Sequence, residues 1–312
     1  MNKNLIDTFD IKNKDIITIV GAGGKTSLMF SASSLFRKDY KVLVTTTTHI
    51  YLPDKNLYDE MIMLSDIKDD KGNRENQKYD NEDYNNENYN DENYNDENNN
   101  NEKYSDIIKN NKKGVYVIGN YIVNNSNSNN SNCNIDGSKA NPPKIKGLTF
   151  DQLDKITPYF DLVIIEGDGS KEKPLKGWND KEPVVYHKTT KTIGVVDISS
   201  IGLYINEENI HRVEKFLKII DKDSKIINQD LETNNKKSLK VVKLEHVKNL
   251  VLHENGLFKI YKGEKILFIN KVESNNNKIH ALNLIENIKN ENPSYIDKFI
   301  YGSVFKNKFI EE

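Results

Sequence analysis

Residues 15–30 read DIITIVGAGGKTSLMF, and the reading of this stretch decides the fold. Ile16 to Val20 form an apolar run that ends in glycines. Leu28, Met29, Ala32, Leu35 and Phe36 then recur at helical spacing. KVLVTTTTHI (41–50) reads as a second buried strand. Strand, glycine turn, helix and strand make a βαβ unit, and such a unit implies a parallel sheet. The turn resembles a phosphate loop but is short for one. The usual pattern runs Gly, four residues, then Gly-Lys-Ser/Thr; counting back from Gly24-Lys25-Thr26, its first glycine would fall on Ile19.

The chemistry of the turn nevertheless suits an anion. A helix N-terminus presents free N–H groups and the positive end of the helix dipole. Gly21, Ala22, Gly23 and Gly24 let the backbone wrap closely, Lys25 adds a point charge, and the hydroxyls of Thr26 and Ser27 follow. Thr26 is the residue expected to ligate Mg²⁺ beside a nucleotide phosphate. The plainer alternative is a strand-to-helix turn with an incidental Lys and Thr. The demanding context, directly after a buried strand and before a helix, favours phosphate.

Five further stretches carry candidate chemistry. DLVIIEGDGS (161–170) delivers Glu166 and Asp168 to the end of a buried strand, where P-loop proteins place a metal-side acid. Two residues apart on a continuing strand, both would share one face. KEKPLK follows, in which Lys171, Lys173 and Lys176 are candidates for a second anionic group, or simply a solvated lysine-rich loop. LFINKVES places Asn270, Lys271 and Glu273 after another apolar run, and resembles the guanine-reading element of GTP-binding proteins, with Glu where Asp is usual. Thr47, Thr48 and His49 leave the second strand towards the same edge, and His211 and Arg212 sit in EENIHRVEKFLKII, which has helical spacing.

Polarity is concentrated locally. The chain has 312 residues, a net charge of −2 and a mean hydropathy of −0.73. Residues 66–102 alone carry a net −9, which leaves the remainder near +7, a mild bias that suits a nucleotide and is too weak to argue for nucleic acid. The tract NEDYNNENYNDENYNDENNNN cannot bury enough apolar surface to offset chain entropy. Two disordered Asn-rich inserts are therefore expected, at 66–106 and 124–143, in a single α/β domain formed by 1–65 and 107–312. The expected architecture is a P-loop-type, mostly parallel sheet flanked by helices. Cys133 is the single cysteine, which excludes a disulfide framework and a cysteine metal site within one chain. With neither a signal-like apolar core nor a membrane-length apolar run, the sequence reads as cytoplasmic.

GAGGKTS, then TTTTHI followed by Pro53, then EGDGS with PLK and EP, then HR, and finally NKVE together resemble the YqeC family. Its members are described as accessory factors of selenium-dependent molybdenum hydroxylases. The resemblance implies a nucleotide-binding protein that uses the compact GxxGKT/S loop also found in Mur ligases. It carries Gly21, Gly24, Lys25 and Thr26 over as the phosphate site, and Glu166 and Asp168 as metal or water ligands. Pro174, Leu175, Lys176, Glu182, Pro183, His211 and Arg212 match signature positions without assigned roles. Catalysis by Lys25, Glu166 and Asp168, with ATP or GTP and Mg²⁺, is then expected. So is a substrate site touching Thr47, Thr48, His49, Lys173, Lys176, His211 and Arg212. The implied partners are a molybdenum cofactor or selenium donor and an apo-hydroxylase. A nucleotide-gated insertion factor without chemistry of its own, and a Mur-ligase-like ligase, are the alternatives.

Overall fold

The computed structural model describes residues 5–66, 112–123, 142–220 and 241–312, so most of the two expected inserts and Cys133 lie outside the described residues. Its centre is the strand β1 (Ile16–Gly21), which runs into the glycine turn and helix α2 (Lys25–Phe36). A short helix α1 (Leu5–Phe9) precedes it. β2 (Lys41–Thr46), β5 (Gly114–Gly119), β8 (Leu162–Glu166), β10 (Lys191–Asp197), β12 (Glu264–Asn270) and β13 (Lys298–Ser303) are the other long strands of the main sheet. β4 (Glu60–Met63) and β14 (Lys308–Glu311) close its two edges.

The nine strands lie in the order β14-β13-β12-β10-β1-β8-β2-β5-β4. All pairings are parallel except β13 with β14. The α/β class and the mostly parallel sheet expected from the sequence are thus observed. After β1 the chain moves outward through β2 to the edge strand β4, returns through β5 to insert β8 beside β1, then crosses to β10 on the far side. The C-terminal end of β1 is therefore a topological switch point, where open α/β sheets bind their ligands.

Alternation along each strand sorts the core into two layers. Val42 and Val44 of β2 and Leu162 and Ile164 of β8 pack with Leu28, Met29 and Phe36 of α2, and in the same layer Phe268 of β12 meets Phe9 of α1 and Phe309 of β14. Their neighbours face the other way. Leu43, Val163 and Ile165 pack on α3 (Phe150–Ile156). Leu267 and Ile269 pack with α4 (Val213–Ile220), α5 (Leu244–Leu252) and α6 (Asn275–Glu291). Strands buried on both faces read as continuous apolar runs, which is why they were legible in the sequence. Thr149 caps α3 in a reciprocal capping box with Gln152.

Several elements depart from expectation. KVLVTTTTHI is two strands, because the Thr46 hydroxyl donates to the Glu166 carbonyl and accepts from Thr48 N–H, which turns the chain before β3 (His49–Tyr51). GVYVIGNYIV (114–123), one strand-like run in the sequence, likewise breaks at Asn120 between β5 and β6 (Ile122–Val123); β3 and β6 pair with β7 (Lys144–Lys146) in a small antiparallel sheet. EENIHRVEKFLKII is helical only from Val213. Ile210–His211 form β11, paired in parallel with β9 (Leu175–Lys176), and Arg212 has φ +60°. Among the described residues no helix is long and apolar enough to cross a membrane.

Candidate functional site

Three of the four turn positions need backbone that only glycine adopts cheaply: Gly21, Gly23 and Gly24 have φ of +101°, +85° and +120°. At Gly23 a Cβ would lie 2.3 Å from Asp197 Cβ, so the loop rests directly on the end of β10. Gly24 caps α2, whose first residue is Lys25. The Lys25 side chain folds back under the loop, 3% exposed, and donates to the Gly21 carbonyl at 2.7 Å.

Two carboxylates meet that ammonium. Glu166 shares the parity of Leu162 and Ile164, so it faces the α2 side. There Glu166 Oε2 accepts from the Thr26 hydroxyl at 2.6 Å, and Oε1 lies 3.7 Å from Lys25 Nζ. Asp168, beyond the strand end, accepts the Gly21 N–H on both oxygens at 3.0 and 3.1 Å and has Lys25 Nζ 3.5 Å from Oδ1. It also accepts from Lys176 Nζ at 2.9 Å and from the Trp178 indole N–H at 2.7 Å. The two acids are driven apart. Burial pushes the Glu166 carboxyl up despite Lys25 and Thr26. Burial acts on Asp168 in the same sense, but Lys176, Lys25 and the Gly21 N–H outweigh it and hold that carboxyl low.

The other predicted residues fall into place around this pair. Thr47 N–H donates to the Glu166 carbonyl and its hydroxyl to the Val184 carbonyl, so Thr47 braces Glu166 from behind, while Thr48 bonds within the Thr46 turn. His49 lies on β3 opposite Lys146, in the small antiparallel sheet. Lys176, expected in a substrate-facing loop, points inward and shares its three protons among Asp168, the Gly169 carbonyl and Glu182. Lys173 donates to the Glu207 carbonyl. Arg212 grips both Glu182 oxygens, at 2.6 and 3.1 Å. Burial, with Arg212, Lys176, Lys171 and Lys173 nearby, holds the His211 imidazole down to about 3, so this ring is neutral at physiological pH.

On the opposite flank, the Asn270 amide donates to the Gly23 carbonyl at 2.8 Å and its oxygen accepts from Val304 N–H at 3.1 Å. Lys271 Nζ lies 2.5 Å from Asp197 Oδ2, an ion-pair contact outside hydrogen-bond geometry. Glu273 Oε1 accepts from Ser303 Oγ at 2.8 Å. A cleft of about 270 Å³ lies beside it, lined by Glu273, Ser274, Lys278 and Lys308 among others. Trp178, Asp197 and Ser303 escaped the sequence reading. Trp178 lies in the loop after β9, ten residues past the Asp168 it bonds, Asp197 meets the loop across the β1–β10 pairing, and Ser303 lies in a strand end with no motif of its own.

The glycine turn and this acid–lysine cluster together span the chain from β1 to Arg212, and the family comparison matches that span. The YqeC family profile matches residues 17–214, more than half of the chain. The chain belongs to the YqeC protein family. A relative named "Uncharacterized protein YqeC", from Escherichia coli (strain K12), is 24% identical over 289 residues, covering 90% of this chain and 86% of its own. No solved structure matches the chain. The profile match takes in the loop, Glu166, Asp168, Lys176, Glu182, His211 and Arg212, and stops before Asn270.

Magnesium fits part of this arrangement. Thr26 and Glu166 bring two hard oxygens together at the loop edge, which suits an ion whose remaining ligands are phosphate oxygens and water. Asp168 does not fit as a ligand, since both its oxygens are already taken by Gly21, Lys176, Trp178 and Lys25. Among the described residues no group of three or more His, Cys, Asp or Glu side chains is arranged to hold a metal.

Proposed function

We propose that the chain binds a nucleoside triphosphate, ATP or GTP, with Mg²⁺ at residues 21–27, and hydrolyses it or transfers its phosphoryl or nucleotidyl group. The observation that carries this reading is the triple-glycine turn at the sheet's switch point, with Lys25 beneath it and Thr26 on Glu166. The loop N–H groups and Lys25 bind the phosphates, and the α2 dipole adds to both. Thr26 and Glu166 would hold the magnesium, which would supply neutralising charge to the transferred group. Glu166 also helps to position the nucleophile at the loop edge. Asp168 stays anionic and anchors Lys25 and the Gly21 N–H. Two carboxylates whose environments separate their acidities take separate roles.

At the other flank, Asn270 fixes the loop to β12, and Glu273 with Lys271 reads the base. Glu273 Oε1 is held by Ser303, which leaves Oε2 for a base edge. We assign the nucleotide chemistry to the maturation of selenium-dependent molybdenum hydroxylases, on the description attached to the family. A molybdenum cofactor or selenium donor is then the second substrate, and an apo-hydroxylase the recipient.

Calorimetry with ATP and GTP, each with Mg²⁺, on the wild type and Lys25→Ala tests the phosphate site. Loss of a charge-assisted hydrogen bond is worth about 1.5–3 kcal/mol, so Lys25→Ala weakens binding roughly 10- to 100-fold. Equal affinity in a folded Lys25→Ala protein, or no heat with either nucleotide, overturns the reading.

A further inference from the structure

Behind the glycine loop lies a run of alternating charges that no phosphate contact requires. It begins at Lys25, passes to Asp168 at 3.5 Å and Lys176 at 2.9 Å, and continues to Glu182 at 2.8 Å and Arg212 at 2.6 Å. With Glu166 it contains three cations and three anions. Asp168 and Lys176 are fully buried, while the side chain of Arg212, at the outer end, is 28% exposed. Buried pairs of this kind are weak evidence for stability, since apolar residues of similar volume often serve as well or better. Their regular connection from the loop to the surface asks for another explanation.

The geometry points to a coupling relay: Lys176, Glu182 and Arg212 are positioning residues that set Asp168, and through it Lys25 and the Gly21 N–H, so that occupancy of the loop is felt at Arg212. This rests on the phosphate-site reading above. The physical basis is a shortage of donors. Lys176 has three protons, and they go to Asp168, the Gly169 carbonyl and Glu182. A phosphate at the loop competes with Asp168 for Lys25 and for the Gly21 N–H. Asp168 then leans harder on Lys176 and on the Trp178 indole. Lys176 can tighten on Asp168 only by loosening from Glu182, and Glu182 is what holds Arg212. Arg212 lies at the junction of β11 and α4 with a positive φ, and its carbonyl accepts the Phe216 N–H, so a shift there moves the start of α4. By linkage, whatever engages Arg212 alters affinity at the loop by the same factor.

The protein carries its own reporter, because Trp178 is the single tryptophan, is buried, and donates directly to Asp168 Oδ2. The experiment titrates the full chain with ATP, GTP and inorganic pyrophosphate, each with Mg²⁺, following heat and Trp178 emission together. It is repeated with Arg212→Ala and Arg212→Lys. The expected results are an emission change with the same half-saturation as the heat, and affinity about 3- to 30-fold weaker in Arg212→Ala, the range of such remote couplings. Arg212→Lys recovers most of the loss. A merely structural Arg212 predicts a lower melting temperature with unchanged affinity and emission response in the folded protein; that result overturns the relay. So does a silent Trp178 in wild-type protein that binds with measurable heat, and both leave the phosphate site standing. Absence of heat with all three anions removes the phosphate site and the relay with it.

Discussion

The two flanks of the glycine loop solve different problems. On the β8 side, Lys25, Glu166, Asp168, Lys176 and Glu182 are all close to full burial, and each charge has at least one opposite partner. On the β12–β13 side the partners are sparse: Lys271 is 44% exposed, Glu273 is exposed, and one hydroxyl and one carboxylate hold them. An ion taken out of water costs several kcal/mol unless it is compensated, so the buried flank must be assembled before any ligand arrives. The exposed flank remains solvated and can exchange water for a ligand edge. The first flank is built for charge placement and the second for recognition.

Removing a charge from each flank breaks this contrast if it is wrong. The largest effect is expected from Lys176→Met, which takes the nearest ammonium from Asp168, leaves Glu182 to Arg212 alone and costs about 3–5 kcal/mol of stability. Urea unfolding measures it; a loss below about 1 kcal/mol, the value of an exposed pair, would put both flanks in one class. Asn270→Ala stands between the two, because this buried amide bridges Gly23 to Val304. It is expected to cost about 1–3 kcal/mol and to weaken ATP and GTP equally, as both share the loop. A loss confined to one nucleotide would move Asn270 from the phosphate end to the base end. The smallest stability effect is expected from Glu273→Ala, within about 0.5 kcal/mol, while selectivity between GTP and ATP disappears. Competitive binding with the two nucleotides checks this, and unchanged selectivity would leave the cleft beside Glu273 without a role in base reading.

Much of the fold was legible because doubly covered parallel strands must be apolar on both faces. IITIV, LVIIE, TIGVVD and KILFIN announce themselves, and glycines in sequence announce a turn. The edge strand Lys308–Glu311 did not, since a short strand covered on one face has neither a run nor a clear alternation. His211 and Arg212 were read as helical because apolar residues around them fit a 3.6-residue period. The β9–β11 pairing overrides that local preference.

The sequence by itself determined the elements with local causes: the glycine turn, its Lys and Thr, and the buried strands. The tertiary structure alone decided which carboxylate does what. Glu166 and Asp168 are near-identical in sequence context, yet one meets a hydroxyl at the loop edge and the other meets two ammoniums, an indole and a backbone N–H. Charge in a low-dielectric interior depends on partners a few ångströms away, and those partners come from residues 21, 25, 176 and 178, which only the packed sheet brings together.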